Sequence, residues 1–396
     1  MASLWQIHSR LLLAIKNGRL EDVRHLVSEC CEDVDHSFDM HGSTLRGKTA
    51  VYLAVEAGQL EILNCLIELG GSVNQCDANG LSPLHVAVRD QRMDIVRKLI
   101  AHYAEVNCAT FAGQQTPLHM AVGCSNAVMV ECLVSSGARV NAQDNQGCTP
   151  LLMACSRGSS AVVQCLLRKG ANVVLADRAE NSVAHFLNRL DLETVELILK
   201  RADESGNLTT FLNKPNRNGL TPLHVFVSSD LKRRAHSVVL VELILSRATI
   251  DVNAQDSHGR TPLLLAVQGE PRVVNLLLRA GADLTIMDCL GNTPFRRVCR
   301  LQDRGMILEL MAAGALFQTV DSDWLTSQAA VDLKPDTILY LTELVSKLPY
   351  SLQFFCRRSL LLRFGSHQIE KVLAAFSLPT DIADYVCLKH NRFSVT

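Results

Sequence analysis

Gly42 to Thr49 read GSTLRGKT, which fits G-x-x-x-x-G-K-[ST] letter for letter. In a phosphate-binding loop those residues would be backbone amides and a lysine wrapped round a nucleotide's phosphates. Two other residue types could do chemistry here. Fourteen cysteines offer thiols for metal or for disulfides. Their spacing argues against both, since no C-x-x-C occurs and Cys30 and Cys31 are adjacent. The histidines offer imidazoles, and His85, His119, His185 and His224 each stand three residues after a Ser or Thr. Whether any of these groups can act depends on the elements that would hold them.

Those elements repeat. GLSPLHVAV begins at Gly80, QTPLHMAV at Gln115, GCTPLLMAC at Gly147, GLTPLHVFV at Gly219, GRTPLLLAV at Gly259 and GNTPFRRVC at Gly291. Weaker copies are GKTAVYLAV at Gly47 and NSVAHFLNR at Asn181. The Ser or Thr positions are 49, 82, 116, 149, 182, 221, 261 and 293, giving steps of 33, 34, 33, 33, 39, 40 and 32. Pro after Thr starts a helix, because its φ is already set and its missing N–H is not needed there. A second stretch follows each copy, as in Leu60, Ile62, Leu63, Leu66 and Ile67, with apolar residues at helical spacing. Glycines after it, as in Gly70-Gly71, stop the helix where φ becomes positive.

A period near 33 with T-P-L-H-x-A resembles the ankyrin repeat, over roughly residues 1 to 316. The expected fold is all-α, a solenoid of helix pairs joined by β-hairpin loops, with about nine repeats of which the first and last are atypical. A catalytic or metal-binding histidine would not be copied along a solenoid, so the four histidines are expected to hydrogen-bond around their turns. Cys65, Cys132 and Cys165 lie sixteen residues past Thr49, Thr116 and Thr149. They are expected to pack as small apolar side chains, not to converge on a metal. Steps of 39 and 40 mark insertions near ADESGNLTTFLNKPN and near SSDLKRRAHS, the latter holding Lys232, Arg233 and Arg234; both are expected to be surface loops.

The repeat also disposes of the opening motif. Gly47-Lys48-Thr49 is in register with Gly80-Leu81-Ser82 and Gly147-Cys148-Thr149, so the repeat itself supplies two of the motif's fixed letters. A polar stretch, CEDVDHSFDM, stands where a buried strand should lead into a phosphate loop. No enzyme activity, cofactor or metal is expected.

Charge points the same way. Lys and Arg total 39 against 40 Asp and Glu, a formal charge of −1, which gives no basic field for nucleic acid or anionic lipid. Apolar residues make up 48% of the chain, as in an ordered globular protein. The start, MASLWQIHSRLLLAIKNG, has Arg10 and Lys16 within its apolar run and no small-residue cleavage site, so no signal peptide is expected. The expected location is cytoplasmic, with the nucleus also open to the chain.

After MAAGALF the repeat lapses at about Phe317, and residues 317–344 read as a helical connector in which Pro335 marks a helix start. Residues 345–390 resemble a SOCS box. Its first part, 351–360, carries Ser351, Leu352, Cys356 and Leu360 in the pattern of a BC box, the last three on one helical face. Arg357 and Gly365 also stand where that family carries Arg and Gly. Residues 376–386 correspond to the cullin box, with Leu378, Pro379, Ile382, Tyr385 and Val386 agreeing and Phe376 and Ser377 departing.

Repeats followed by this box are the order found in the ankyrin repeat and SOCS box family. The resemblance implies a substrate receptor of a cullin-RING ubiquitin ligase. Leu352, Phe355, Cys356 and Leu360 would dock on elongin C, which pairs with elongin B. Leu378, Pro379, Ile382 and Tyr385 would meet cullin-5 with its RING partner. Departure at Ser377 implies weaker cullin-5 binding. A protein substrate would lie on the repeats, with Asp77, Asn79, Arg89, Asp90, Gln91, Phe111, Gln114, Asp144, Asn145 and Gln146 as candidates by repeat phase. Asn107 and Asn253, each after an acidic residue and Val, resemble sites of an asparaginyl hydroxylase. The competing reading is an ankyrin scaffold whose C-terminal helices only cap the array.

Overall fold

The structure is a computed structural model that describes residues 4–30, 35, 46–228, 234–301 and 303–312. The connector, the BC box and cullin box, Gly42 and the Lys232-Arg233 pair therefore lie outside the described residues.

Thr-Pro launches the first helix of most repeats as expected. At Ser82 the side chain accepts the His85 N–H while Pro83 occupies the first turn, and Thr149 accepts the Leu152 N–H at 3.2 Å. Nine helix pairs stand among the described residues. The first five are α1 (Leu4–Lys16) with α2 (Leu20–Cys30), α3 (Ala50–Ala57) with α4 (Leu60–Glu68), α5 (Pro83–Arg89) with α6 (Met93–Ala101), α7 (Pro117–Gly123) with α8 (Ala127–Ser135), and α9 (Pro150–Arg157) with α10 (Ser160–Arg168). A 3₁₀ helix (Val183–Arg189) precedes α11 (Leu192–Glu204), and the extra α12 (Leu208–Asn213) follows. Beyond it come α13 (Pro222–Val227) with α14 (Arg234–Arg247), α15 (Pro262–Ala266) with α16 (Pro271–Arg279), and α17 (Pro294–Leu301) with α18 (Arg304–Ala312).

Two features depart from expectation. The first insertion is helical, for it lengthens α11 to thirteen residues and adds α12. Asp191 caps α11 by accepting the Thr194 N–H at 2.8 Å, and Val195, Ile198, Leu199 and Ala202 bury one face; within the insertion itself, Phe211 and Leu212 of α12 are buried. The loops, moreover, contain no named strand among the described residues; a single bridge, Ala176 to Ser182, is the nearest approach to one. Each loop is a turn, held chiefly by side chains.

Two compact units divide the chain, Met1–Phe211 and Leu212–Thr396. In the first, successive first helices α3, α5, α7, α9 and the 3₁₀ helix stack in order, and the second helices pack on them. Leu84, Leu118, Ile95, Leu99 and Met129 are wholly buried between these layers. In the second unit α13 stacks on α15 and α15 on α17, round buried Phe226, Leu263, Val274 and Phe295. No described helix is long and apolar enough to cross a membrane.

Candidate partner-binding surface

Most turns are organised by an aspartate, with Asn216 and Thr110 taking its place in two of them. Asp77 is buried, and its Oδ1 accepts the N–H groups of Asn79 and Leu81, each at 2.9 Å. Asp144 does the same for Gln146 and Cys148, at 2.8 and 2.9 Å, and Asp256 for His258 and Arg260. Burial works to raise the Asp256 pKa, but the Arg260 guanidinium at 2.7 Å and the two N–H groups outweigh it and hold the carboxyl below its ordinary value. Among the predicted contacts, then, Asp144 spends its Oδ1 within its own turn, and Asp77 spends its Oδ1 there while its Oδ2 faces the preceding repeat.

Turn tips are tied to one another by the backbone. Ala78 N–H donates to Arg46 C=O (3.1 Å), Phe111 to Asn79 (3.0 Å), Asn145 to Gly113 (2.9 Å) and Arg178 to Gln146 (2.8 Å). Gly80 shows how tight this is, with φ at 77° and no room for a Cβ, which would stand 2.7 Å from the Phe111 nitrogen. The remaining predicted residues differ in what they leave for a partner. Asn79, Gln114 and Gln146 are exposed at tips, Asn145 is half-buried with its amide on the Ala112 carbonyl, and Phe111 is 67% exposed. Arg89 pairs with its neighbour Asp90 at 2.9 Å, and Gln91, at positive φ, accepts from the Asn126 amide.

The histidines reach further than their own turns. Nδ1 of His85 accepts the Ser82 N–H at 3.1 Å, which leaves Nε2–H to donate to Gln115 C=O of the next repeat at 3.0 Å. His119 bonds Thr116 and Cys148 in the same way, and His224 bonds Thr221 and Arg260. Burial pushes all three imidazoles below their ordinary pKa, against the pull of those carbonyls. Tyr52 takes the equivalent position in its repeat and donates its hydroxyl to Asp77 at 3.2 Å.

An asparagine adds a second tie. Asn107 donates to Gly137 C=O at 3.0 Å and accepts from Arg139 N–H at 2.7 Å, and Asn253 does the same with Gly281 and Asp283. Asn74 and Asn213 repeat the arrangement. Sequence spacing finds Asn107 and Asn253 but not Asn74 and Asn213, nor the partners of any of them, some thirty positions away.

Lys48 of the opening motif donates to both Glu56 carboxylate oxygens, at 2.8 and 2.9 Å, and sits 5.2 Å from the Tyr52 ring centre. Thr49, the motif's last residue, caps the eight-residue α3. The lysine's charge is thus met inside the repeat. Cys65 and Cys165 are buried and Cys132 half-buried, all as free thiols. Burial pushes the Cys108 thiol up to about 11 and Cys148 to about 12, opposite to what a metal ligand or nucleophile needs. No cluster of three metal-ligating side chains occurs among the described residues.

Helix pairs stacked through polar turns, with tips and helix ends left for a partner, define a repeat array built for binding proteins. The family model for ankyrin repeats matches residues 11–110, 108–177 and 183–288, and the chain belongs to that family. It is 29% identical over 248 residues to the nuclear factor NF-kappa-B p105 subunit of Gallus gallus, covering 60% of this chain and 21% of that protein. Similarity to transient receptor potential cation channel subfamily A member 1 of Homo sapiens is 25% over 344 residues, 70% of this chain and 27% of the channel. With Rabankyrin-5 of Homo sapiens it is 29% over 238 residues, 60% and 14%. The chain thus spans less than a third of each of these relatives.

Proposed function

We propose that the chain is a substrate-recognition subunit of an elongin-cullin-RING ubiquitin ligase. The repeats hold a target protein, and residues 345–390 tether it to elongin C, elongin B and cullin-5 with its RING partner. One observation carries this reading: an ankyrin array is followed by Leu352, Cys356 and Leu360 at i, i+4, i+8, and then by Leu378-Pro379 with Ile382 and Tyr385 at cullin-box spacing. Helix-in-groove docking relies on a few such anchors, and burying one Leu stabilises by about 1.5–3 kcal/mol.

In this role no residue of the chain is catalytic. Tethering raises the effective concentration of a target lysine beside the charged E2, and other subunits make the bond. Neither a cofactor nor a metal has a part in it. The test is co-purification of the full chain with elongins B and C, compared with Leu352→Ala combined with Cys356→Ala. Loss of both elongins with the helical circular dichroism unchanged is expected; undiminished recovery would leave the scaffold reading in its place.

A further inference from the structure

Four residues past the capping Ser or Thr, the burial of the first-helix side chain changes along the array. In α3 and α5 that position is Leu53 and Val86, both buried. In the next three repeats it is Met120, Met153 and Phe186, all half-buried. One helical turn on, at the seventh position, α3 and α5 carry the charged Glu56 and Arg89, whereas α7 and α9 carry Gly123 and Ser156. These two positions lie one turn apart on a helix face, so Met120 borders Gly123 and Met153 borders Ser156, while on the 3₁₀ helix Phe186 borders Arg189.

The rim of this strip is cationic. The Arg157 guanidinium comes to 3.9 Å from where a Cβ on Gly123 would stand, and Arg189 donates to Ser156 C=O while lying 5.8 Å from the Phe186 ring centre. Neither arginine has a carboxylate within ion-pair distance among the described residues. The acids nearby are engaged elsewhere, Asp90 with Arg89 and Asp191 with the start of α11. Two exposed guanidiniums beside an apolar strip call for carboxylates on whatever covers it.

Spacing sets the form of that cover. Packed helices lie about 8–10 Å apart. An extended polyproline-type segment turns once in three residues and rises about 3.1 Å for each, so every third side chain returns to one edge after about 9 Å. We propose that Met120, Met153 and Phe186, with Arg157 and Arg189, receive an extended acidic segment of a partner protein that carries apolar side chains three residues apart. The inference rests on the array being a partner-binding module and is independent of residues 345–390.

Selection of random ten-residue peptides displayed on phage, against the full chain, tests it. Selected peptides are expected to carry Phe, Leu or Met three apart with Asp or Glu between them, and to lose affinity as salt rises. Arg157→Glu combined with Arg189→Glu, both exposed, is expected to weaken them at least tenfold with circular dichroism unchanged, and Met153→Asp by a similar factor. Recovery of no peptide above a control without protein, absence of that pattern, or full affinity in the arginine variant would overturn the proposal. Elongin recovery, measured on the same variants, separates this outcome from the ligase reading: the arginine variant keeps the elongins, and the Leu352, Cys356 variant keeps the peptide.

Discussion

Two kinds of junction recur between the repeats, beside the Tyr52 hydroxyl on Asp77. Where a repeat carries His, as at His85, His119 and His224, an imidazole links its capping residue to the next repeat's carbonyl. Where it carries Leu, as at Leu152 and Leu264, the same site is filled by a wholly buried aliphatic side chain. The receiving carbonyl explains why both work. Cys148 C=O accepts from Asp144 N–H as well as from His119, and Asn181 C=O, its counterpart one repeat after Leu152, accepts from Asp177 N–H. Its turn satisfies the carbonyl first, so the histidine adds a second bond and its absence strands nothing there. Polar and apolar closures are therefore interchangeable in geometry and differ in how they respond to change.

The largest effect is expected at an apolar junction. Leu152→Ala removes buried atoms and leaves a cavity, costing about 2–5 kcal/mol, read as a lower urea midpoint for the full chain. His119→Leu is expected to cost less, about 1–3 kcal/mol, because the groups that lose an acceptor are the N–H and hydroxyl of a single residue, Thr116. A larger loss from His119→Leu than from Leu152→Ala would break the comparison.

Acid separates the two kinds more sharply. The buried imidazoles of His85, His119 and His224 have folded-state pKa values below the ordinary 6.5, so the unfolded chain takes up protons first. Their contribution is fully present above about pH 6.5 and is lost as pH falls from there through the lowered values. Unfolding midpoints measured from pH 7.5 down to 5 should fall less steeply for the His85→Leu, His119→Leu double variant than for the parent. An unchanged slope would mean that the imidazoles do not carry the acid response.

The smallest effect concerns the asparagine tie, which accompanies both closures. Asn107→Ala, at a histidine junction, and Asn253→Ala, at a leucine junction, should each cost about 1 kcal/mol, and by amounts that agree within about 0.5 kcal/mol if the ties act independently. Unequal losses in the urea midpoint would show that the closure at a junction conditions its asparagine tie.

Much of this was legible beforehand, because helix starts are local. Thr-Pro, the apolar stripe and the terminal glycine announce themselves within a dozen residues. The partners of Asp77, His85 and Asn107 were not legible, since they depend on which atoms meet after a whole repeat has turned. Asp77 and Asn79 are two residues apart and share a repeat phase, yet one carboxylate is consumed by its turn and the preceding repeat while the other side chain stands in solvent. The inserted length, with Gly206 and Asn207 in it, reads as a loop, and Leu208, Phe211 and Leu212 are too short an apolar run to announce α12. The strip of Met120, Met153 and Phe186 was hidden for a different cause: Met and Phe in an amphipathic helix read as core until their burial is known.

The backbone bonds between turn tips have one more consequence. Ala78, Phe111, Asn145 and Arg178 all make the same N–H to C=O bond with four different side chains. What fixes each tip in space is the peptide N–H, which every residue but proline possesses. The most accurately positioned sites in the array are thus among the freest to change identity. Lineages can rewrite what the tips recognise, one residue at a time, without relearning how to fold.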